Sequence, residues 1–382
     1  MALTLHGTVA DNTVVLSRQN AKPLIINGNM AVAQRATSTT GITGDGVHTI
    51  DRIALDLNDN GTWTQTQSTD VPTGQGFASS LKMDCTTADA AVAAGTYHLL
   101  RYKFEGQDCQ LFKKGTSSAE YITVAFWIKS NKTGTFTVEL FDSEGDDRTI
   151  SKTFTIDSGD TWEKKVLSFI GDTSSAQPNT NALGLSVNIW MTGGSTFTGG
   201  TLQTAWGAKT NNERADTSVN IADSTDNEYY LTGLQVEVGN FDANSIPSFQ
   251  FETIIDNQNR CSRYFQKLAS DNNNSIGEGF SSDGTGRGAT MVPFLPMRAS
   301  PTVTTSAAST FKFQQGVTTS GNGTSFILAS VNNNQGANQG QAYGVGLFRV
   351  HIDVAASGMA QDGRFCRGVS NGSSFVQVDA EL

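Results

Sequence analysis

ITVAFWIK, residues 122–129, sets Ile122, Val124, Phe126 and Ile128 on one side of an extended chain, and GTFTVELF, residues 134–141, does the same with Phe136, Val138 and Leu140. Side chains on a strand alternate between its two faces, so each segment has one apolar face to bury. A lone strand or hairpin cannot bury that face, and a second sheet must cover it. The pattern recurs in HLLRYKFEG (98–106), RTISKTFTID (148–157), WEKKVLSF (162–169) and LGLSVNIWM (183–191), at spacings typical of sandwiches. From LIINGNMAVAQR (24–35) to LQVEVG (234–239) the chain therefore reads as one large β-sandwich. Within it, RIALDLNDNGTWTQTQ (52–67) reads as a hairpin turning at Asn60–Gly61, and the Ala-rich TTADAAVAAG (86–95) has room for a helical turn or two.

Composition supports this reading. The chain has 382 residues, long for one domain, with 39 Gly, 21 Phe and only 16% charged residues. Thr and Gly suit pleated surfaces and tight turns. The net charge of −10 and the lack of a Lys/Arg cluster argue against nucleic acid and against anionic membranes. No apolar run approaches the ~18 residues that a spanning helix needs, and MALTLHGTVADN lacks the charged-then-apolar order of an export signal. Cys85, Cys109, Cys261 and Cys366 are far apart, which suits reduced thiols, with one disulfide such as Cys85–Cys109 left open.

The expected organisation is an N-terminal attachment arm (1–23), the sandwich (24–240), a linker with a helix (241–269) and a C-terminal β-domain (270–382). ETIIDNQNRCSRYFQKL (252–268) carries the one long helical period, with Ile254, Ile255, Cys261, Phe265 and Leu268 near a 3.6-residue spacing. Ile254, Ile255, Phe265 and Leu268 would then pack between subunits or domains, or within their own chain. VGLFRVHIDV, with His351, alternates as a strand of a smaller C-terminal β-sandwich. The fold class expected is all-β: a large sandwich, a connecting α-helix and that smaller sandwich.

Few residues point to catalysis. DLNDNG (56–61) places Asp56, Asn58, Asn60 and Gly61 as a calcium loop would begin, but strands flank it and Gln67 stands where the bidentate Glu belongs. DSEGDD (142–147) groups four carboxylates on another turn, where an acidic solvated tip is the simpler reading. The histidines are isolated, and neither HExxH nor GxSxG occurs, so no metal, no cofactor and no catalytic residue is expected. GTGRG (284–288) lacks the flanking strand and helix of a phosphate loop. A carboxylate pair brought together from distant strands would make a glycosidase, a reading kept open. The aromatics offer a different chemistry. Trp faces stack on the CH-rich faces of sugars, and Trp190 and Trp206, next to loop-like stretches, are the glycan-binding candidates; core packing is the competing role.

YLTGLQVEVG…IPSFQF…NRCSRYFQK (230–267) resembles virion proteins of bacteriophages, especially marine ones. In that family a jelly-roll domain like a carbohydrate-binding module ends in a TGVQLEVG-like strand, followed by a proline–aromatic linker and an RYYQK-like helix. INGNM…QR (26–35), Asp51–Arg52, GFASSLKM (76–83), LLRYKFEG (99–106), ITVAFWIKSNKTGTFTVEL (122–140), TWEKKVLSFIGDT (161–173) and GGTLQTAWGA (199–208) extend the likeness over residues 24–268. PMRASPTVT (296–304) and the DAEL ending add a weaker match. The resemblance implies a jelly-roll sandwich in a tail-fibre, receptor-binding or other appendage protein, often homotrimeric, docked to other virion proteins and facing a host-surface glycan. It supplies no catalytic residues. A capsid fibre or decoration protein is the alternative within the class, and a polysaccharide depolymerase the alternative outside it.

Overall fold

The structure is a computed structural model and describes residues 22–217, 219–270, 275–283, 287–307, 310–315, 318–329, 346–354, 365–370 and 374–382. Most of the proposed arm, with His6, lies outside the described residues, as do most of GTGRG and the side chains of His351 and Cys366.

The N-terminal region forms two six-stranded antiparallel sheets. One runs β1 (Ser38–Ile42), β3 (Thr62–Ser68), β4 (Ser80–Thr87), β12 (Glu228–Val238), β6 (Ile122–Ser130), β9 (Glu163–Phe169). The other runs β11 (Gly207–Ala208), β8 (Arg148–Ile156), β7 (Gly134–Asp142), β10 (Leu183–Gly193), β5 (Tyr97–Glu105), β2 (Ile53–Asn58). The chain switches between them repeatedly, as in a jelly roll. The inward alternates meet in one core that includes Val124, Phe126, Phe136, Val138, Leu140, Val187 and Ile189. Alternation with one buried face thus fixed both the strands and their orientation.

Local reading failed at the turns. Asn60–Gly61 closes no hairpin, because β2 pairs with β5 while β3 pairs with β1 and β4. That turn hands the chain from one sheet to the other, and buried Asn60 accepts a 2.7 Å hydrogen bond from Trp63 Nε1 through its carbonyl. Residues 88–93 are irregular rather than helical, and a short helix α1 (Ser195–Thr198) stands elsewhere. Cys85 and Cys109 are buried free thiols, so the disulfide left open is not formed.

The connecting helix is shorter than its periodicity suggests. Helix α2 spans Ile254–Cys261, capped by Thr253 Oγ1 accepting from the Asp256 amide, with Arg260 in its last turn. Phe265 and Leu268 belong instead to β13 (Phe265–Ser270), where they pair with Asp379 and Val376 of β21 (Ser374–Asp379). Pairing with a strand over a hundred residues later overrides the local helical period. With β16 (Thr302–Thr305) these strands make a three-stranded sheet, β13-β21-β16.

The remaining strands are β14 (Ser275–Asp283), β15 (Arg287–Phe294), β17 (Phe311–Gln315), β18 (Thr318–Ala329), β19 (Gly346–Val354) and β20 (Phe365–Ser370). They close a barrel in the order β14-β15-β19-β18-β17-β20. The C-terminal region is all-β as expected, but its pairing closes a barrel beside a small sheet instead of forming two facing sheets. Alternation specifies strands and faces, not closure.

Candidate functional site: a polar cleft at the domain joint

The motifs that carry the family likeness converge on one place. Asn27, at φ 61, brackets its neighbours: its amide donates to the Val32 and Asp51 carbonyls at 2.9 Å, and its Oδ1 accepts from the Val32 amide. Gly28 lies so close to β12 that a Cβ there would stand 2.1 Å from the Leu234 carbonyl oxygen. Only glycine permits that approach, which ties INGNM to LTGLQ. Asn257 of α2 donates to Asn27 and Asn29, and Ile26, Val32, Cys261 and Tyr264 form a small core of their own.

Charge locks the three-stranded sheet onto the sandwich. Glu105, buried at the end of β5, accepts both Arg263 nitrogens at 2.8 Å and the Tyr264 hydroxyl at 2.7 Å. Burial opposes its charge, but these bonds hold the carboxyl below its usual range. Buried Arg52 lies 3.4 Å over the Tyr264 ring and pairs with Glu381. Arg35 lies 3.7 Å over the Phe265 ring and pairs with Asp379 at 2.9 Å. Asp51, buried beside them, is pushed up to about 6 by burial, against hydrogen bonds from Gln34 and the charge of Arg35.

A cleft of about 360 Å³ opens where this joint meets the outer face of the β2–β5 edge. It is lined by Arg35, Asp45, Asp56, Arg101, Lys103, Asp379 and Glu381, among others. Ala54 and Arg101 of the lining begin a register row that runs on, away from the cleft, through Asn188, Glu139 and Ser151 across β2, β5, β10, β7 and β8. Arg101 bridges Asp56 at 2.6 Å and Asn188 at 2.9 Å. Asn188 donates on to Glu139, which also accepts from Arg214, Trp190 and Thr149. Burial raises Asp56 and lowers Lys103. Arg35 Nη1 and Glu381 Oε1 make ion-pair contacts at 3.6 Å but no hydrogen bond among the described residues. The cleft thus combines fixed donors and acceptors of both charges on the wall of an open volume.

The sequence-derived candidates are scattered. Trp190 is 1% exposed, its ring packed on Phe197 and its indole N–H held by Glu139, so it lies beside the row on the same sheet face, in a small cluster of its own, and presents no open face. Half-buried Trp206 donates to the Ile170 carbonyl at 2.6 Å, away from the cleft lining. Ile254 and Ile255 are on α2 and are 56% and 68% exposed, while Phe265 is buried in β13. Asp56 is on β2 against Arg101, not in a loop. Asp142 accepts from Lys114 and the Gly145 amide, and Asp147 pairs with Lys209. Among the described residues no group of three His, Cys, Asp or Glu is placed to hold a metal ion, and no helix is long and apolar enough to cross a membrane. Arg101, Asn188 and Glu139 escaped notice in the sequence. Each is a polar outward residue on a strand whose inward residues are mostly apolar, and the outward rows carry other polar residues too, so nothing local singled these three out.

No family model matches the chain, and no curated protein matches its sequence. Among solved structures it is similar to the enzymatically active domain of bacteriophage CBA120 tailspike protein 4, at 11% identity and TM-score 0.28, over 56% of this chain and 21% of that one. It is similar also to a CBM4 module (10%, TM-score 0.26, 56% and 97% covered). A third is the family 11 carbohydrate-binding module of Clostridium thermocellum bound to a mixed-linked tetrasaccharide (10%, TM-score 0.24, 53% and 95%). The chain spans about a fifth of the tailspike domain's length.

Proposed function

We propose that this chain is a structural component of a bacteriophage particle, in a tail fibre or receptor-binding appendage, and that it holds host-surface glycan in the joint cleft without cleaving it. The observation that carries the reading is the cleft: about 360 Å³ lined by Arg, Lys, Asp and Glu side chains on strands and their flanks. Sugar hydroxyls donate and accept at once, so alternating cations and carboxylates suit them better than a surface of one sign. A shallow polar site binds weakly, and repeated subunits, as in a homotrimer, raise the avidity. Residues 1–23 would provide the contact with other virion proteins. The chain would fold in the host cytoplasm and act on the virion.

Titration of the full chain with the host's surface polysaccharide tests the site. Saturable binding is expected, weakened about tenfold or more in Arg101→Ala, which removes a charged hydrogen-bonding group. Equal binding by the variant would overturn the site, and oligosaccharide release would replace binding with depolymerase activity. Antibody labelling of intact particles tests display: label on the tail supports the appendage, label on the head favours a capsid fibre, and unlabelled particles end the virion reading.

A further inference from the structure

Lys114 differs from every other paired lysine described in this molecule. Its side chain and those of its partners Asp142 and Asp172 are 0%, 0% and 1% exposed. In every other lysine–carboxylate pair among the described residues, both side chains are at least 12% exposed. The burial follows from the strand pattern. Asp142 continues the inward row of Phe136, Val138 and Leu140 on β7, so alternation delivers a carboxylate to the interior. Lys114 reaches it from the loop after the 3-10 turn Gly106–Phe112.

The contacts divide the two acids. Lys114 Nζ touches Asp142 Oδ2 and lies 3.2 Å from Asp172 Oδ2. The Ser175 carbonyl is at 3.3 Å, and the Trp206 ring is 5.0 Å from the nitrogen. Asp142 has one further donor, the Gly145 amide at 2.8 Å, and burial pushes it up. Asp172 feels the same burial, but Arg148 at 2.8 Å, the Ser174 amide and Lys114 carry it below the usual carboxylate range. One carboxyl is inclined to hold a proton and its neighbour to stay ionised, the split that assigns an acid and a base. The Glu139–Arg214 pair, 0% and 11% exposed, has no such chemistry, because a guanidinium neither deprotonates nor attacks.

We propose that Lys114 and Asp142 are joined by an isopeptide bond, formed within the folded chain with Asp172 as the proton carrier. Amide formation requires the shared proton to lie on the Asp142 carboxyl, the direction in which burial pushes that group. The Nζ lone pair adds to Cγ of Asp142. Asp172 takes a proton from the nitrogen and returns it to the departing hydroxyl. A C–N bond forms, a C–O bond breaks and one water leaves; nothing is oxidised or reduced. Fixed approach replaces a bimolecular encounter, worth effective molarities on the order of 10⁵ M or more in well-oriented cases. Charge balances before and after, since Arg148 and Asp172 remain as a neutral pair. The bond would tie the loop between β5 and β6 to the end of β7, and it is independent of the glycan reading.

Intact mass of the purified full chain decides the matter. The wild type should be lighter than its sequence by one water, and its tryptic digest should hold a branched peptide joining the Lys114 and Asp142 segments, uncleaved after Lys114. Lys114→Arg and Asp172→Asn, each checked for native circular dichroism, should run at full sequence mass. Full mass with linear peptides in the wild type overturns the bond. A water loss mapped to any other residue overturns the assignment to Asp142. A cross-link surviving in Asp172→Asn overturns the proton carrier.

Discussion

The joint and the cleft beside it are built from the same residue types and differ in how completely those residues are used. At the joint, Glu105 takes three short hydrogen bonds, and Arg52 lies on Tyr264 and pairs with Glu381. In the cleft, Arg101 and Asp56 pair at the edge of an open volume. A buried charge that loses its partner is costly, so the joint holds two modules in one arrangement. A pair on the wall of an open volume, with side chains 20% and 13% exposed, stays within reach of a ligand. Residues such as Arg35 and Glu381 belong to both regions, so the ligand site exists only while the sheet is seated.

That contrast can be broken in order of effect. Glu105→Ala removes the acceptor of Arg263 and of the buried Tyr264 hydroxyl, and urea unfolding should show a loss of about 2–3 kcal/mol, with proteolysis appearing between residues 241 and 253. A loss under about 1 kcal/mol would make the joint an ordinary surface contact. Asp51 gives the joint a pH signature. Its folded carboxyl sits at about 6, above the ordinary 3.8, so the folded chain keeps this proton longer than the unfolded chain. The resulting stability is full below 3.8 and is lost as pH rises through about 6, on the order of 3 kcal/mol. Asp51→Asn should flatten that slope in denaturation midpoints measured across the range. Gly28→Ala drives a methyl into the Leu234 carbonyl and should cost about 1–3 kcal/mol, read as a lower melting temperature. Arg101→Ala should cost about 1–2 kcal/mol and yet abolish most glycan binding. A large stability loss there would show that the cleft wall is structural, like the joint.

Much of the sandwich was legible because one face of each strand is buried. Ile122, Val124, Phe126 and Ile128 fall inward as their alternation requires. The same rule explains Asp142, whose inward placement was equally readable and was masked by reading DSEGDD as a solvated tip. The joint was legible as a set of motifs, INGNM, Asp51–Arg52, NRCSRYFQK and DAEL, but not as a single place. Nothing local says that Arg52 meets Glu381 or that Glu105 meets Arg263. The Trp residues misled for the opposite reason: a large aromatic signals burial and stacking equally, and Trp190 is used for burial.

The sequence alone determined most strands of the sandwich and which faces they bury, because those follow from periodicity and residue chemistry along the chain. Tertiary structure decided that Asn60–Gly61 crosses between sheets, that Phe265 and Leu268 leave their helical period for a distant strand, and that Arg101, Asn188 and Glu139 form one row. It also brought Lys114 against Asp142 out of water. The physical reason is the same in each case. Strand partners, register and the sharing of buried charge are set by contacts between residues remote in sequence, and no local pattern encodes which remote residue will arrive.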